Sequence, residues 1–487
     1  MKDVEDICPL SPMQHGMLFH CVLHPEAGAY VSQMACGFGE SFHPEAFAKA
    51  WQAVVDRHPI FRTGFVWEGL DEPMQVVFRQ TRVRVEMPDW SGLPEAEREA
   101  RLETFLQEER ARAFDFNRPP LIRLAIVRMG PEDHRFAWTY HHLLLDGWSE
   151  SLIYSDLFRF YFALAEGKGP KPEPAPPYAD YVSWLRAQDS ARAETFWRGA
   201  LAGFREPTPV RSDPPPAALP DGAEVHALRE LRLSNEESDA LRELARRCRV
   251  TSSTVFQASW ALLLSHLSGT QDVVYGMTVS GRPAELPGVE AMVGPFINTV
   301  PVRIGLSRDE TLASWLPRVQ EGILELRRWE FSPLVQVQSW SEIPRGRSLF
   351  DTLLVFQSPI RNDRLQEQHG RIESLGVRGV RHGGGWTNYA LSADVRHREE
   401  TVIHLSYDRR RLSDAAVERL GGDYETLLRA MAAGPGAAVG AILDQTAEAS
   451  RARRSRAGSD LEAANRERLR RVRRQPLAAT AITEEAR

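Results

Sequence analysis

The strongest chemical signal in the chain is the run Phe136-Ala-Trp-Thr-Tyr-His141-His142-Leu-Leu-Leu-Asp146-Gly147-Trp148-Ser149. Imidazole is the side chain that ordinarily exchanges a proton near neutral pH, so adjacent histidines raise the question of a base. Large and small residues alternate from Phe136 to His142. A strand therefore puts Phe136, Trp138, Tyr140 and His142 on one face and Ala137, Thr139 and His141 on the other. The histidines point opposite ways, and His142 is the candidate base. Asp146 either accepts a bond from the imidazole or holds the corner through an arginine; the spacing alone does not choose. Asp146-Gly147 reads as a turn, and Ser149 is expected to cap a helix with apolar residues at Ile153, Leu157, Phe160, Tyr161 and Leu164. A histidine is thus delivered at a strand-to-helix corner. Short His-x3-Asp patterns recur by chance, and the bland alternative is a hydrogen-bonded core histidine, so the rest of the chain has to decide.

At 487 residues the chain fits two or three domains, and 43% hydrophobic content is ample for buried cores. No apolar run approaches the ~18–20 residues of a membrane span, and Met1-Lys-Asp-Val-Glu-Asp lacks the layout of a secretory signal, so a soluble cytoplasmic protein is expected. The four cysteines, Cys8, Cys21, Cys36 and Cys248, form no Cys-x-x-Cys pair and suggest neither a disulfide framework nor a zinc site. A formal charge of −6 argues against nucleic acid, yet Thr446 to Arg487 holds 11 Arg against 6 acidic residues, a net +5 that leaves −11 for the body. That Arg-rich tail, 446–487, has few large apolar residues and is expected to be disordered, the alternative being a docking segment helical around Leu461–Val472.

Helices are predicted over residues 46–57, about 94–113, from Tyr178, after the capping box Ser234-Asn-Glu-Glu237, and from about Ser252 to Leu267. The last is apolar almost all round and must be buried. Strands are predicted at Phe65–Trp67, Leu121–Val127, Val225–Leu233 and Val273–Val279. Proline-rich connectors at Gly167–Pro177 and Arg205–Gly222 divide the chain. The expected organisation is an N-terminal α/β lobe over 1–177, an inter-lobe helix and linker over 178–222, a C-terminal lobe over 223–445, and the tail.

The His-His-x-x-x-Asp-Gly run followed by Trp-Ser resembles the signature of condensation domains of nonribosomal peptide synthetases, within the chloramphenicol-acetyltransferase-like superfamily. Six further segments resemble that family's motifs in order: Leu10-Ser11-Pro-Met-Gln14-His-Gly-Met-Leu-Phe19-His20, Arg57-His58-Pro-Ile-Phe61-Arg62-Thr63-Gly-Phe65, Tyr178-Ala-Asp180-Tyr181-Val-Ser-Trp184, Gly294-Pro-Phe296-Ile-Asn298-Thr-Val-Pro301-Val-Arg303, the region Ser332-Pro333-Leu334 with Ser348 to Phe356, and Thr387-Asn388-Tyr389-Ala390-Leu391. Phe61 replaces the usual leucine and Ala390 the usual proline. The Phe296-Ile-Asn298-Thr segment disfavours an epimerisation domain, and intact His141 and His142 disfavour a heterocyclisation domain.

The resemblance spans roughly residues 5–445 and implies two chloramphenicol-acetyltransferase-like lobes forming a V-shaped pseudodimer around a central tunnel. It implies transfer of an acyl, aminoacyl or peptidyl group from a carrier-protein thioester to an acceptor amine. Under it, His142 is catalytic, and the Gly147 backbone N–H faces the developing oxyanion. His141 is structural, Asp146 pairs with Arg282 or Arg62, and Ser11, Trp148, Ser149 and Asn298 either line the tunnel or serve packing and capping. No metal and no bound cofactor are expected, because the phosphopantetheine belongs to donor and acceptor carrier proteins. With no adenylation or carrier segment recognisable, the chain reads as free-standing or excised. Ester formation, or transfer to a small soluble amine or alcohol, is the alternative; a noncatalytic recruitment platform is the alternative of another class.

Overall fold

The computed structural model describes residues 3–23, 30–211, 215–220, 223–357, 363–384 and 387–473. Pro214 and Gly222 of the expected linker and the last residues of the tail, 474–487, lie outside them.

The strand Asp133–His141 lies inside a five-stranded sheet, antiparallel to Val31–Phe38 on one side and to Ile122–Gly130 on the other. Val85–Glu86 and Arg378–Gly384 complete its two edges. The predicted alternation holds. Phe136, Trp138 and Tyr140 point into a large apolar core, while Ala137 joins Ala35, Val127 and Met129 beneath Leu102 and Leu106 of the helix Glu95–Ala111. On the core face the helices Pro44–Arg57 and Gly147–Ala165 cover the sheet. The contacts are aromatic: Trp51 and Trp138 ring centroids stand 4.9 Å apart, and Phe47 meets Phe136 edge-on at 5.0 Å. These rings are nearly fully buried, which removes enough apolar surface from water to fix the histidine strand's phase.

Two compact units result, and they do not follow the order of the chain. One comprises residues 1–207, 274–303 and 322–396; the other comprises 208–273, 304–321 and 397–487. The stretch expected to form a separate C-terminal lobe, 223–445, is therefore shared between them. The reason is strand pairing and side-chain capture. Arg378–Gly384 pairs with Val31–Phe38, and the segment 282–296 is drawn onto the histidine corner.

In the second unit, His226–Leu233 pairs antiparallel with Thr401–Asp408, and the capping box at Ser234 starts the helix Asn235–Cys248. The helix Ser252–Ser268 is buried on nearly every side, as its composition requires. Up to Arg473 the tail follows the alternative of a helix rather than the expectation of disorder. Residues Val439–Arg473 are helical, and the first turns of the tail are held by polar contacts that composition does not reveal: Asp423 accepts from Ser450 Oγ at 3.0 Å and from Arg453. Among the described residues, no helix is long and apolar enough to cross a membrane, and no group of three or more His, Cys, Asp or Glu could hold a metal ion.

Candidate active site

His142 follows directly after the end of its strand, where its N–H donates to Tyr30 O at 2.9 Å and anchors the corner to the neighbouring strand. Its Nδ1 lies 3.2 Å from Leu145 O. A carbonyl oxygen only accepts, so Nδ1 carries the proton of the neutral ring and Nε2 is left as the acceptor. Nε2 takes the Ser32 hydroxyl at 2.8 Å. Burial pushes the His142 pKa below its ordinary value, outweighing the opposing Leu145 carbonyl and Asp146 charge. The ring is therefore a neutral base at pH 7.

His141 points to the other side. Its Nδ1 accepts from Leu143 N at 3.1 Å, its Nε2 lies 3.5 Å from Cys21 Sγ, and Phe114 and Phe116 meet the ring edge-on. It is 1% exposed, so it holds the loop to the core and cannot reach a substrate.

Asp146 is the N-cap of the helix Gly147–Ala165: its Oδ1 accepts from Ser149 N at 2.8 Å. This corrects the expectation that Ser149 caps. Both are good caps, but only the aspartate has a second oxygen for Phe296 N, at 3.0 Å, and a charge for Arg282, whose Nη2 lies 3.6 Å from Oδ1. Ser149 is freed to clip the opposite segment. Its hydroxyl donates to Gly294 O at 2.8 Å and accepts from Gly294 N at 3.1 Å and Arg282 Nη2 at 2.9 Å. Arg282 also donates to the carbonyls of Val289 and Met292 and lies 3.8 Å over the Phe296 ring. Asp146, Ser149 and Arg282 are thus one buried knot that locks the catalytic corner to the segment 282–296.

Gly281 makes the knot possible. At φ +61° it adopts a left-handed backbone, and a Cβ there would lie 1.9 Å from Phe296 O. Gly281→Ala is expected to displace Arg282 and lower the thermal midpoint by several degrees, measurable by calorimetry, with the same substitution at exposed Gly346 as a positive-φ control.

Three expected site residues are spent on the fold, and a fourth, Trp148, stays beside the corner. Arg62 is not the partner of Asp146: it donates to Glu5 and to Phe78 O, joining the first strand to its neighbour, because it emerges on the side of the small sheet. Asn298 is spent on the backbone, its amide donating to Glu330 O and Ser332 O at 2.7 and 2.8 Å and accepting from Thr299 N at 2.9 Å. Ser11 is buried and caps the helix Pro12–Leu23 in a reciprocal pair with Gln14. Trp148 is partly exposed and donates Nε1 to Glu290 O at 3.1 Å, so its ring stays beside the corner.

Gly147 opens the helix and is exposed; among the described residues no acceptor takes its N–H, and a Cβ there would meet nothing within 4 Å. Chain packing does not demand this glycine. An N–H at a helix start is suited to an oxygen that gains negative charge.

Sequence reasoning misses Gln14, which is fully buried and donates to Leu143 O at 3.0 Å, bracing the loop between the histidines and Asp146. It also misses Ser32, Tyr140 and Glu150. Gln14 sits in a recognisable motif; Ser32 carries no local signal.

The family model described as Condensation domain matches residues 4–450, and the chain belongs to that family. It is 41% identical over 438 residues to one of the proteins of the linear gramicidin synthase of Brevibacillus parabrevis, covering 89% of this chain and 6% of that protein. It is 39% identical over 410 residues to chondramide synthase cmdD of Chondromyces crocatus, covering 84% and 10%. The chain thus spans a tenth or less of these relatives. Among solved structures, the first condensation domain of the calcium-dependent antibiotic synthetase, in complex with a substrate analogue, superposes with a TM-score of 0.71 at 20% identity, covering 90% of this chain and 99% of that one. A four-domain nonribosomal peptide synthetase bound to AMP and glycine superposes at 0.72 and 19% identity, covering 90% and 34%. At those identities the structures establish the shared fold, a mixed α/β architecture of the condensation type.

Proposed function

We propose that this chain is an acyltransferase that joins a thioester-bound acyl, aminoacyl or peptidyl group to an acceptor amine, forming an amide. The observation that carries this reading is the state of His142: Nδ1–H is tied to Leu145 O, so Nε2 is a neutral acceptor, five residues before the N–H of Gly147 that opens the following helix. The amine nitrogen attacks the thioester carbon, and the carbonyl oxygen gains charge near Gly147 N–H. The Ser32 hydroxyl releases Nε2, which takes a proton from the attacking nitrogen; the C–S bond then breaks, and that proton goes to the departing sulfur. Thioesters react readily with free amines, so holding the two reactants together supplies much of the rate, for which intramolecular models allow up to ~7–11 kcal/mol.

Membership of the condensation family supports carrier proteins as partners, each delivering its substrate on a phosphopantetheine arm. This chain needs no cofactor of its own in that reading. The structural neighbour that spans four domains of one synthetase supports the same assembly.

Gly147→Ala tests the oxyanion role. Open space around the position lets the variant fold normally, while a methyl group obstructs the acyl oxygen. An unchanged melting midpoint with a lowered kcat is expected, from obstruction of the acyl oxygen and not from loss of the N–H, which alanine keeps. Full activity in that variant would mean that the acyl oxygen does not come against Gly147.

A further inference from the structure

A cleft opens on the side of the five-stranded sheet that the acyl-transfer reading does not use. Arg123, Ala125, Ala137 and Thr139 form its floor, on the face that alternates away from Ser32 and Tyr140. Ser32 Oγ lies 2.8 Å from His142 Nε2, so the imidazole belongs to the opposite face. Phe105 and Glu109 of the helix Glu95–Ala111 make one wall, and the extended run 82–86 makes the other. Val83 and Val85 pack against the main core, so the period of two turns Arg82, Arg84 and Glu86 toward the cleft. Its volume is about 300 Å³, at the low end of the range for sites that take small molecules. The space exists because Ala125, Ala137 and Thr139 are too small to fill the gap beneath the end of the helix.

The arginines of the cleft are of two kinds. Arg123 is committed: its Nε donates to Glu109 at 2.8 Å, its Nη2 donates to the carbonyls of Glu109 and Arg112 at 2.6 and 2.8 Å, and its guanidinium lies 3.8 Å over the Phe114 ring. Glu109 is also taken by Arg112 at 2.9 Å. Arg82 and Arg84 are exposed, and among the described residues neither has an ion pair or a hydrogen bond. Four arginines against two glutamates give the lining a net charge of +2. At the floor, Thr139 is 1% exposed; its oxygen accepts from Gln33 at 2.9 Å, and among the described residues nothing takes its O–H. A neutral apolar molecule would leave that buried donor and both cations unanswered, and a bare inorganic anion would leave Phe105 and the alanines uncovered.

We propose that this cleft is a binding site for an organic oxyanion, a carboxylate or a phosphate monoester carrying a short apolar group, separate from the acyl-transfer centre. The oxyanion accepts from Arg82 and Arg84, whose planar forks suit paired oxygens, and from the Thr139 hydroxyl. The apolar group covers Phe105, Ala125 and Ala137. Glu86, two residues beyond Arg84 on the same run and within electrostatic reach of Arg123, opposes an anion, so its charge tunes the affinity. The site does not depend on His142 being a base.

Isothermal titration calorimetry of the full chain with hexanoate, phenyl phosphate, hexanol and inorganic phosphate tests the assignment. Hexanoate or phenyl phosphate is expected to bind saturably at one site, more tightly than hexanol or inorganic phosphate, and the better of the two identifies the head group. The Arg82→Gln/Arg84→Gln variant should keep its melting midpoint, since both side chains are exposed, and lose about tenfold in affinity, the scale of one charge-assisted contact. Glu86→Gln should bind the same anion more tightly. His142→Ala should bind as wild type does, because an anion held in the acyl-transfer centre would respond to that substitution and not to the arginines. Saturable binding by neither organic anion, equal binding by wild type and the double arginine variant, or loss of binding in His142→Ala overturns the site. Weaker binding in Glu86→Gln, or inorganic phosphate or hexanol binding as tightly as the organic anions, overturns the class of ligand.

Discussion

Asp146→Ala is expected to destabilise the folded chain by about 3–5 kcal/mol, the range for stripping one partner from a buried charge. The substitution removes three things at once: the cap on the corner helix, the acceptor for Phe296 N, and the negative charge beside Arg282, whose side chain is 5% exposed. Loss of an N-cap alone costs about 0.5–2 kcal/mol, so most of the effect comes from the arginine left buried without its charge partner. Asp146→Asn separates the contributions. Asparagine caps as well as aspartate, so this variant keeps the helix start and loses the charge. Urea unfolding should rank the proteins wild type, Asp146→Asn, Asp146→Ala in falling midpoint. Equal midpoints for wild type and Asp146→Ala would mean that the knot with Arg282 does not hold the corner. Activity should fall in both variants, because the knot fixes where Gly147 and His142 stand.

His142→Ala should reduce turnover about 10²–10⁴-fold, the usual contribution of a positioned base, with thioester binding retained. The side chain is not part of the buried knot, so the melting midpoint should move little. The pH dependence has a definite sign. Burial lowers the His142 pKa, which means the neutral base is the form present at pH 7 and is lost only on acidification below the ordinary value of about 6.5. kcat should therefore be level near neutrality on the histidine's account and fall at lower pH, and that acid limb should vanish in His142→Ala. A second titration belongs to Glu150. Its raised pKa, about 7, means the folded chain binds this proton more tightly than the unfolded chain does. Its contribution to stability is then present at low pH and lost as pH rises through the window up to about 7, and Glu150→Gln should flatten that slope.

How much of this is visible in the residues themselves differs from part to part. The phase of the histidine strand is legible because one face carries Phe136, Trp138 and Tyr140 and the other Ala137 and Thr139, a contrast in size that only one burial pattern satisfies. The buried helix Ser252–Ser268 is legible for the same reason. The identity of the cap is not. Serine and aspartate cap equally well in isolation, and what decides for Asp146 is Arg282 and Phe296, which are distant in the chain. The same distance hides the true partner of Arg62: both arginines fit a carboxylate, and only the pairing of the first strand with Met74–Phe78 brings Glu5 to Arg62. Asn298 belongs to a motif that implies a tunnel lining, yet its amide serves the backbone, a role that no spacing announces. Glu150 looks like an ordinary acidic residue in a helix's first turn, where the dipole favours one. Only its bond from the Tyr140 hydroxyl, donated from a neighbouring strand, sets it apart. The tail departs from expectation because its contacts with Asp423 are polar, and low apolar content by itself suggests that nothing holds it.

The central claim, amide formation with His142 as base, is tested most directly by intact-mass analysis. Purified protein, wild type beside His142→Ala, is mixed with acyl-pantetheine thioesters, free and carrier-bound, and with pools of amines and alcohols. The account predicts a new N-acyl product with wild type that falls to background with His142→Ala, accompanied by release of the donor thiol. Equal product from both proteins, or acylation of oxygen with no acylated nitrogen, would contradict it.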